Sequence, residues 1–445
     1  MQLKELKPAD LDYERVLGGL FNGDAAATQP AAIVQPLNEE QVVAAVVRAR
    51  EEGLRLRVCS GGHSRFCSGD GALMLDLAAH FRDVSVSGDV VTVQGGAGMG
   101  TVLQALAPHG RMLPVGTHPT PGFGLLTMGG LGHLSRRFGL TLDQIVTLRG
   151  VDGKGETFAI DQSDPTSAAW RYLRGAAPFL AVVTEVSLRT QPRTPLWVNR
   201  DFVALAELPQ ALADAEQLPR EISCSWVLGI APDQKQPVAM RYWVMEQHTQ
   251  EQHPEDWAFP KGGWQQQVAG LEELPAFNLP CQDGTLLEEL PADPDRHRRL
   301  KSWIYALSVP PGQVNVLAAV LQKALLEAPN RLCRIDLQHS GGAVRDPLMN
   351  SSAYKGRQAE WSLVVSSFWP ASDTTAGEAA RAWADGVFDA LETIACHVYL
   401  VERHPGTQRY RHELALAYGP DLAELQELKK LWDPDGILQS LDEGP

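Results

Sequence analysis

The sequence predicts an α+β protein in two domains, on three observations. Its 445 residues, 44% hydrophobic and 21% charged, are enough for two or three cores of ordinary soluble composition. Glycines crowd between Gly61 and Gly155, where short strand-like runs alternate with turns. Past a break at TQPRTPLW, long amphipathic helices alternate with strands, which puts a domain boundary near Pro192.

In the first part, NEEQVVAAVVRAREEG reads as a helix capped by Asn38 and stopped by Gly53, with an apolar stripe at Val42, Val43, Val46 and Val47. LRLRVCS, LMLDLAA and DVVTVQ follow as strands, TVLQALAPHG as a helix, and QIVTLRGVD and LAVVTEVSLRT as two more strands. In the second part, ISCSWVLG, VAMRYWVM, CRIDLQHS, WSLVVSSFW and CHVYLV read as strands. Residues 204–218, 314–328 and 376–394 read as helices, so this half is a sheet covered on one face by helices. Residues 247–299 lack periodicity and are either a lid over a site or a solvated excursion. The tail LAELQELKKLWDPDGILQSL is a helix running into a turn.

Thirty-nine Lys and Arg face 54 Asp and Glu, a formal charge of −15 that repels nucleic-acid phosphates and anionic lipid, and no basic patch offsets it. The first residues, MQLKELKPADLDYERV, alternate charges where a secretory signal needs an apolar core, and no run is long enough to span a bilayer. The expectation is a cytoplasmic protein that binds neither membrane nor nucleic acid. Cys59, Cys67, Cys224, Cys281, Cys333 and Cys396 form neither a disulfide framework nor a CxxC pair, so free thiols are expected. No His and carboxylate spacing resembles a metal site. Asn350-Ser351-Ser352 fits a glycosylation sequon that stays silent without a secretory signal.

Three glycine-bearing segments could hold a ligand. GGAGMG, Gly95–Gly100, follows a strand and precedes a helix as a dinucleotide fold requires, but the match to G-x-G-x-x-G is imperfect and no acidic residue follows at ribose distance. In SGGHS, Ser60–Ser64, two glycines let backbone approach a bulky group while His63 is held at the tip of a turn. GTHPTPGFGLLTMGGLGHLSRRFG, Gly116–Gly139, offers many N–H groups that could cradle a pyrophosphate.

Together these segments resemble the flavin-binding domain of the vanillyl-alcohol oxidase and para-cresol methylhydroxylase (PCMH) superfamily, in its berberine-bridge-enzyme-like branch. The resemblance starts at AAIVQPLNEEQVVAAVVRARE, continues through RVCSGGHSRFCSGDGALMLDLA and WRYLRGAAPFLAVVTEVSLRTQP, and resumes at LQHSGGAVRDPLMNSSAYKGR and AYGPDLAELQELKKLWDPDGIL. It implies a PCMH-type FAD-binding domain over 1–192, an antiparallel-sheet substrate domain over 193–405, and a tail, 406–445, returning to the first domain. It implies FAD, linked covalently through His63. Ser60, Gly61, Gly62 and Ser64 would hold the pyrophosphate, and Gly122, Gly124, Thr127, Gly129, Gly130 and Gly132 would line the other side. Val183 would meet the ring through its backbone. His118, in GTHPT, stands where doubly tethered members carry a second linking Cys, which argues against a second bond.

The implied activity is oxidation of a small organic molecule, an alcohol, phenol, amine or sugar-like compound, by hydride transfer to the flavin with oxygen as acceptor. A dehydrogenase using another acceptor and a flavin-binding member without redox turnover, a cyclase or structural partner, stay open. Two departures from the family pattern keep them open. GAAPFLA, Gly175–Ala181, replaces a glycine-rich run ending in Asn-Phe-Gly, and His397-Val398-Tyr399 replaces a Tyr-x-Asn. His397 and Tyr399, on one face of their strand, are the candidate catalytic pair, with His339 and Tyr242 as further pocket candidates or as satisfied core residues.

Overall fold

The computed structural model describes residues 3–230, 236–247, 260, 263–275, 277 and 300–441. Most of the 247–299 insertion, with Cys281, His248 and His253, therefore lies outside the described residues. Three larger sheets organise the chain. The first has Lys4–Leu6, Ala32–Gln35, Leu73–Asp76 and Leu56–Cys59 in that order, and the last three strands are parallel. Its crossover is the helix Glu39–Glu51, where Asn38 Oδ1 accepts from the Gln41 N–H at 3.0 Å, the capping expected from the sequence.

A second sheet runs Val84–Ser87, Val90–Gln94, Ala181–Arg189, Ile145–Asp152 and Thr157–Asp161, antiparallel throughout. That pairing rules out the dinucleotide reading of GGAGMG, because a βαβ fold needs parallel neighbours. The helix after this motif, Met99–Leu106, buries Val102, Leu103 and Leu106 against the main core.

The third sheet takes its eight strands from residues 196–398, every pair antiparallel. Helices Leu208–Glu216, Val314–Leu326 and Thr374–Glu392 pack on it and on one another. CHVYLV contributes only His397–Val398, since the chain turns after Val398. The tail holds two helices, Gln408–Tyr418 and Leu422–Trp432, of which the sequence marked the second. It then returns to the first sheet, where Ile437 O accepts from the Leu56 N–H at 2.8 Å.

GAAPFLA forms the end of the helix Ala168–Leu180, which is broken at Arg174 and Gly175. Gly175 has φ +131°, and a Cβ there would stand 2.6 Å from the Tyr354 N, so glycine is required at this one position of the segment. The break explains Pro178. It falls in the first turn of the restarted helix, where no intrahelical N–H bond is lost.

Buried ion pairs join the glycine-rich part to the large sheet. Arg136, 3% exposed, donates to Glu360 Oε1 and to the Ser340 O at 2.6 Å each, and to the Leu218 O and Ile222 O at 2.7 and 2.9 Å. Arg357 forks onto both oxygens of Asp143 at 2.6 and 2.8 Å, and Arg137 pairs with Glu246 at 2.9 Å. Removing one partner of a buried pair strands the other, so Arg136→Gln is expected to cost about 3–5 kcal/mol. Urea unfolding measures it, and a loss below about 1 kcal/mol, typical of a surface pair, would contradict this account.

Candidate functional site

A cavity with about 1210 Å³ of empty space, including its open mouth, lies between the glycine-rich loops and the tail. Of the residues singled out by sequence, Ser60, Gly61, Gly62, His63, Ser64, Gly122, Gly124, Thr127 and Val183 line it. The loops approach too closely for side chains. A Cβ on Gly61 would stand 2.6 Å from the Thr120 O and 2.8 Å from the Gly122 N. Ser60 Oγ locks them together, donating to the Gly95 O at 2.5 Å and accepting from the Phe123 N–H at 3.1 Å.

His63 stacks on Phe21, ring centroids 4.1 Å apart, and its Nε2 is hydrogen-bonded to Thr120 Oγ1. The same hydroxyl lies 2.8 Å from His118 Nδ1, which also accepts from the Thr120 N–H at 3.4 Å. An accepting Nδ1 on His118 makes the Thr120 hydroxyl its donor. Thr120 must then accept from the Nε2–H of His63, which leaves the lone pair of His63 on Nδ1. His118 therefore acts on His63 through Thr120 and does not itself line the cavity.

Gly129, Gly130 and Gly132 lie behind the wall. The Gly130 N–H donates to Tyr399 Oη at 2.9 Å, and a Cβ on Gly129 would stand 2.7 Å from that oxygen. Tyr399 thus holds the turn that follows Thr127 and Met128. Burial raises its pKa, so the hydroxyl keeps its proton. His397 is 3% exposed and sits with Tyr399 around Tyr354, at ring distances of 4.8 Å and 5.8 Å from it. The His397 and Tyr399 rings lie 6.4 Å apart, but the strand ends at Val398, so strand alternation does not set their relation. Burial lowers His397 to about 3, leaving it neutral.

His339 lies elsewhere. Its Nδ1 accepts from the Cys224 N–H at 3.0 Å, its Nε2 meets Glu360 at 3.0 Å, and its ring stacks on Trp361. Both nitrogens are engaged in the ion-pair cluster of the sheet, outside the cavity lining. Tyr242 donates to the Pro275 O at 2.7 Å and stacks on His133, also away from the lining.

Sequence reasoning missed Thr120 and Phe21, and missed the wall formed by Leu400–Arg403. Ala177, Pro178 and Ala181 of the GAAPFLA segment also line the cavity. A residue that acts through a hydrogen bond, or that arrives from 280 positions further on, carries no local signal. The residues present fit a flavin dinucleotide. The lining combines small residues at Ser60, Gly61, Gly62, Gly122 and Gly124 with apolar side chains at Leu77, Leu125 and Met128, and Gly124 opens onto unfilled space.

Residues 30–161 match the FAD binding domain family. Over 435 residues, 95% of this chain and 90% of the relative, the chain is 25% identical to an FAD-linked oxidoreductase of Dictyostelium discoideum. It spans about half the length of the next curated relatives that it matches. Among solved structures, chitooligosaccharide oxidase superposes with TM-score 0.80 at 19% identity, covering 98% of this chain and 95% of that one. Physcomitrella patens BBE-like 1 superposes with TM-score 0.78 at 19% identity, covering 100% and 97%. These two likenesses concern the fold.

The neutral buried histidines give the protein an acid limit. His133 is lowered by burial to about 4 and His397 to about 3, both below the ordinary value of about 6.5. As pH falls below about 6.5 the unfolded chain takes up these protons first, so stability is full above that range and declines toward the folded values. Each histidine is expected to remove about 1 kcal/mol between pH 6 and pH 5. Urea unfolding across this range should show a shallower decline in His133→Gln, and an unchanged slope would mean that His133 titrates normally when folded.

Proposed function

We propose that the chain is an FAD-linked oxidoreductase of the berberine-bridge-enzyme-like kind that oxidises a small hydroxyl-bearing, sugar-like molecule with FAD bonded to His63, a reading supported by the FAD binding domain match and the PCMH-type fold. The observation that carries this reading is the His118–Thr120–His63 chain at the cavity wall, which keeps a lone pair on His63 Nδ1. When bound, FAD supplies the two-electron acceptor, and the chain supplies binding and orientation.

His63 would hold the flavin through its imidazole, which lines the cavity. Phe21 holds the imidazole plane by stacking, and Thr120 holds its tautomer. Ser60 fixes the spacing of the two glycine loops, and Tyr399, through the Gly130 N–H, fixes the turn behind them. Leu77, Leu125 and Met128 keep water from the apolar side. Tyr399 is a positioning residue in this scheme, because its hydroxyl is protonated and committed to the turn. The sugar-like class rests on the name of chitooligosaccharide oxidase and is a proposal for this chain. So are oxygen as acceptor and a cytoplasmic setting, the latter consistent with the free thiols of Cys59, Cys67, Cys224, Cys333 and Cys396.

Purified protein is expected to be yellow, with the flavin remaining on the denatured chain as a fluorescent band in acid-treated gels. His63→Ala should lose that band, and Thr120→Val should lower the covalent fraction severalfold while FAD is still held without a bond. Anaerobic mixing with aldoses and oligosaccharides should bleach the flavin, and admitting air should restore the colour with release of peroxide. Colour returning only with an added dye would make the enzyme a dehydrogenase. A protein that holds FAD but is bleached by no hydroxylated compound would overturn the redox reading in favour of a non-redox role.

A further inference from the structure

One charged side chain in the cavity wall has no ion-pair partner among the described residues. Arg403 is 4% exposed, with its guanidinium carbon 4.2 Å above the Phe66 ring and 4.7 Å from that of Phe179. Among the described residues it makes neither a hydrogen bond nor an ion pair, yet it lines the cavity. Burying a guanidinium without an anion is costly, and two aromatic faces offset only part of that cost.

The neighbouring groups do not supply the missing charge. Glu413 is committed to His404, its carboxylate 2.6 Å from the His404 Nδ1. Glu402, the one carboxyl among the lining residues, makes no ion pair with Arg403, and burial lifts its pKa to about 7, so it is a weak counter-charge. Arg57 and Arg55 add positive charge nearby, and the Arg57 Nε is itself buried without a hydrogen-bond partner. Phe66, on which Arg403 rests, lies two residues past the SGGHS loop, its N–H donating to Ser64 Oγ at 3.1 Å. The uncompensated cation therefore stands beside the loop whose glycines bring backbone closest to the ligand.

We propose that Arg403 is a diphosphate-binding residue, whose guanidinium takes the pyrophosphate of the dinucleotide that the cavity holds. Its planar fork can donate two N–H bonds to one phosphate, and the aromatic pair fixes its plane before the anion arrives. The proposal rests on the FAD reading above. It adds a cation to a seat that sequence comparison describes only through glycines and hydroxyls.

The test uses the His63→Ala protein, from which flavin can be removed and returned, with and without Arg403→Gln and Arg403→Lys. Quenching of flavin fluorescence measures the affinity for FAD, which carries the diphosphate, and for riboflavin, which does not. Arg403→Gln should weaken FAD roughly 10- to 100-fold, the scale of a lost charge-assisted hydrogen bond, and leave riboflavin unchanged, with Arg403→Lys between. Because the glutamine removes an unpaired buried charge, flavin-free Arg403→Gln should melt no lower than its parent, while the rise in Tm on adding FAD should shrink. Equal FAD affinity in parent and variant, or equal losses for FAD and riboflavin, would overturn the assignment of Arg403 alone. A parent that binds neither flavin would overturn the cofactor reading and the proposal with it.

Discussion

The fold depends most on the buried guanidinium of Arg136. It rises from the short helix Ser135–Phe138 and reaches into the large sheet, where Glu360 and three backbone carbonyls consume its donors. Glu360 in turn binds His339 and Arg345. The same short helix leads out of the loop that contains Gly122–Gly132, so Arg136, with Arg137 and Arg357, registers the strand ladder of one half against the ligand loops of the other. Such a centre adds little to net stability, because desolvation takes back most of the Coulombic gain. What it enforces is position: if the two halves slide, charges are left unpaired in a dry interior.

The ligand cavity is a consequence of that registration together with close backbone contact. At Gly61 and Gly95 other backbone lies where a side chain would be, at Gly122 the Ser60 hydroxyl does, and Ser60 bonds across the resulting seam. More of the lining comes from Leu400–Arg403, shortly after the strand His397–Val398, and from Leu438 and Gln439 of the tail. His63 is thus oriented by residues from two other segments, Phe21 from one and Thr120 with His118 from the other.

The motifs that were legible are those in which chemistry and backbone constraint coincide within a few residues. SGGHS is one, since its glycines and histidine are adjacent. The helix capped by Asn38 and strands such as Val90–Gln94, Ile222–Ile230 and Trp361–Pro370 are others, because periodicity and capping are local, whereas Leu196–Val203 and Leu300–Val309 were not marked by the sequence. The GAAPFLA segment was legible only as a departure; that Gly175 carries the kink and Pro178 opens the next turn depends on the packing of Tyr354 against Gly175. His339 and His397 look alike in sequence, as histidines in apolar strands. One is saturated by the ion-pair centre and the other is grouped with Tyr354 and Tyr399.

By itself the sequence determined the α+β pattern, the glycine-rich segments and the candidacy of His63, because each is written in spacing over fewer than about twenty residues. Tertiary structure decided which residues hold His63, which candidates face the cavity, and that Arg403 lies there between two aromatic rings with no ion pair among the described residues. The physical reason is that hydrogen-bond saturation and charge compensation belong to neighbourhoods in space. The chain assembles those neighbourhoods from segments hundreds of residues apart, and no local pattern records which partners meet.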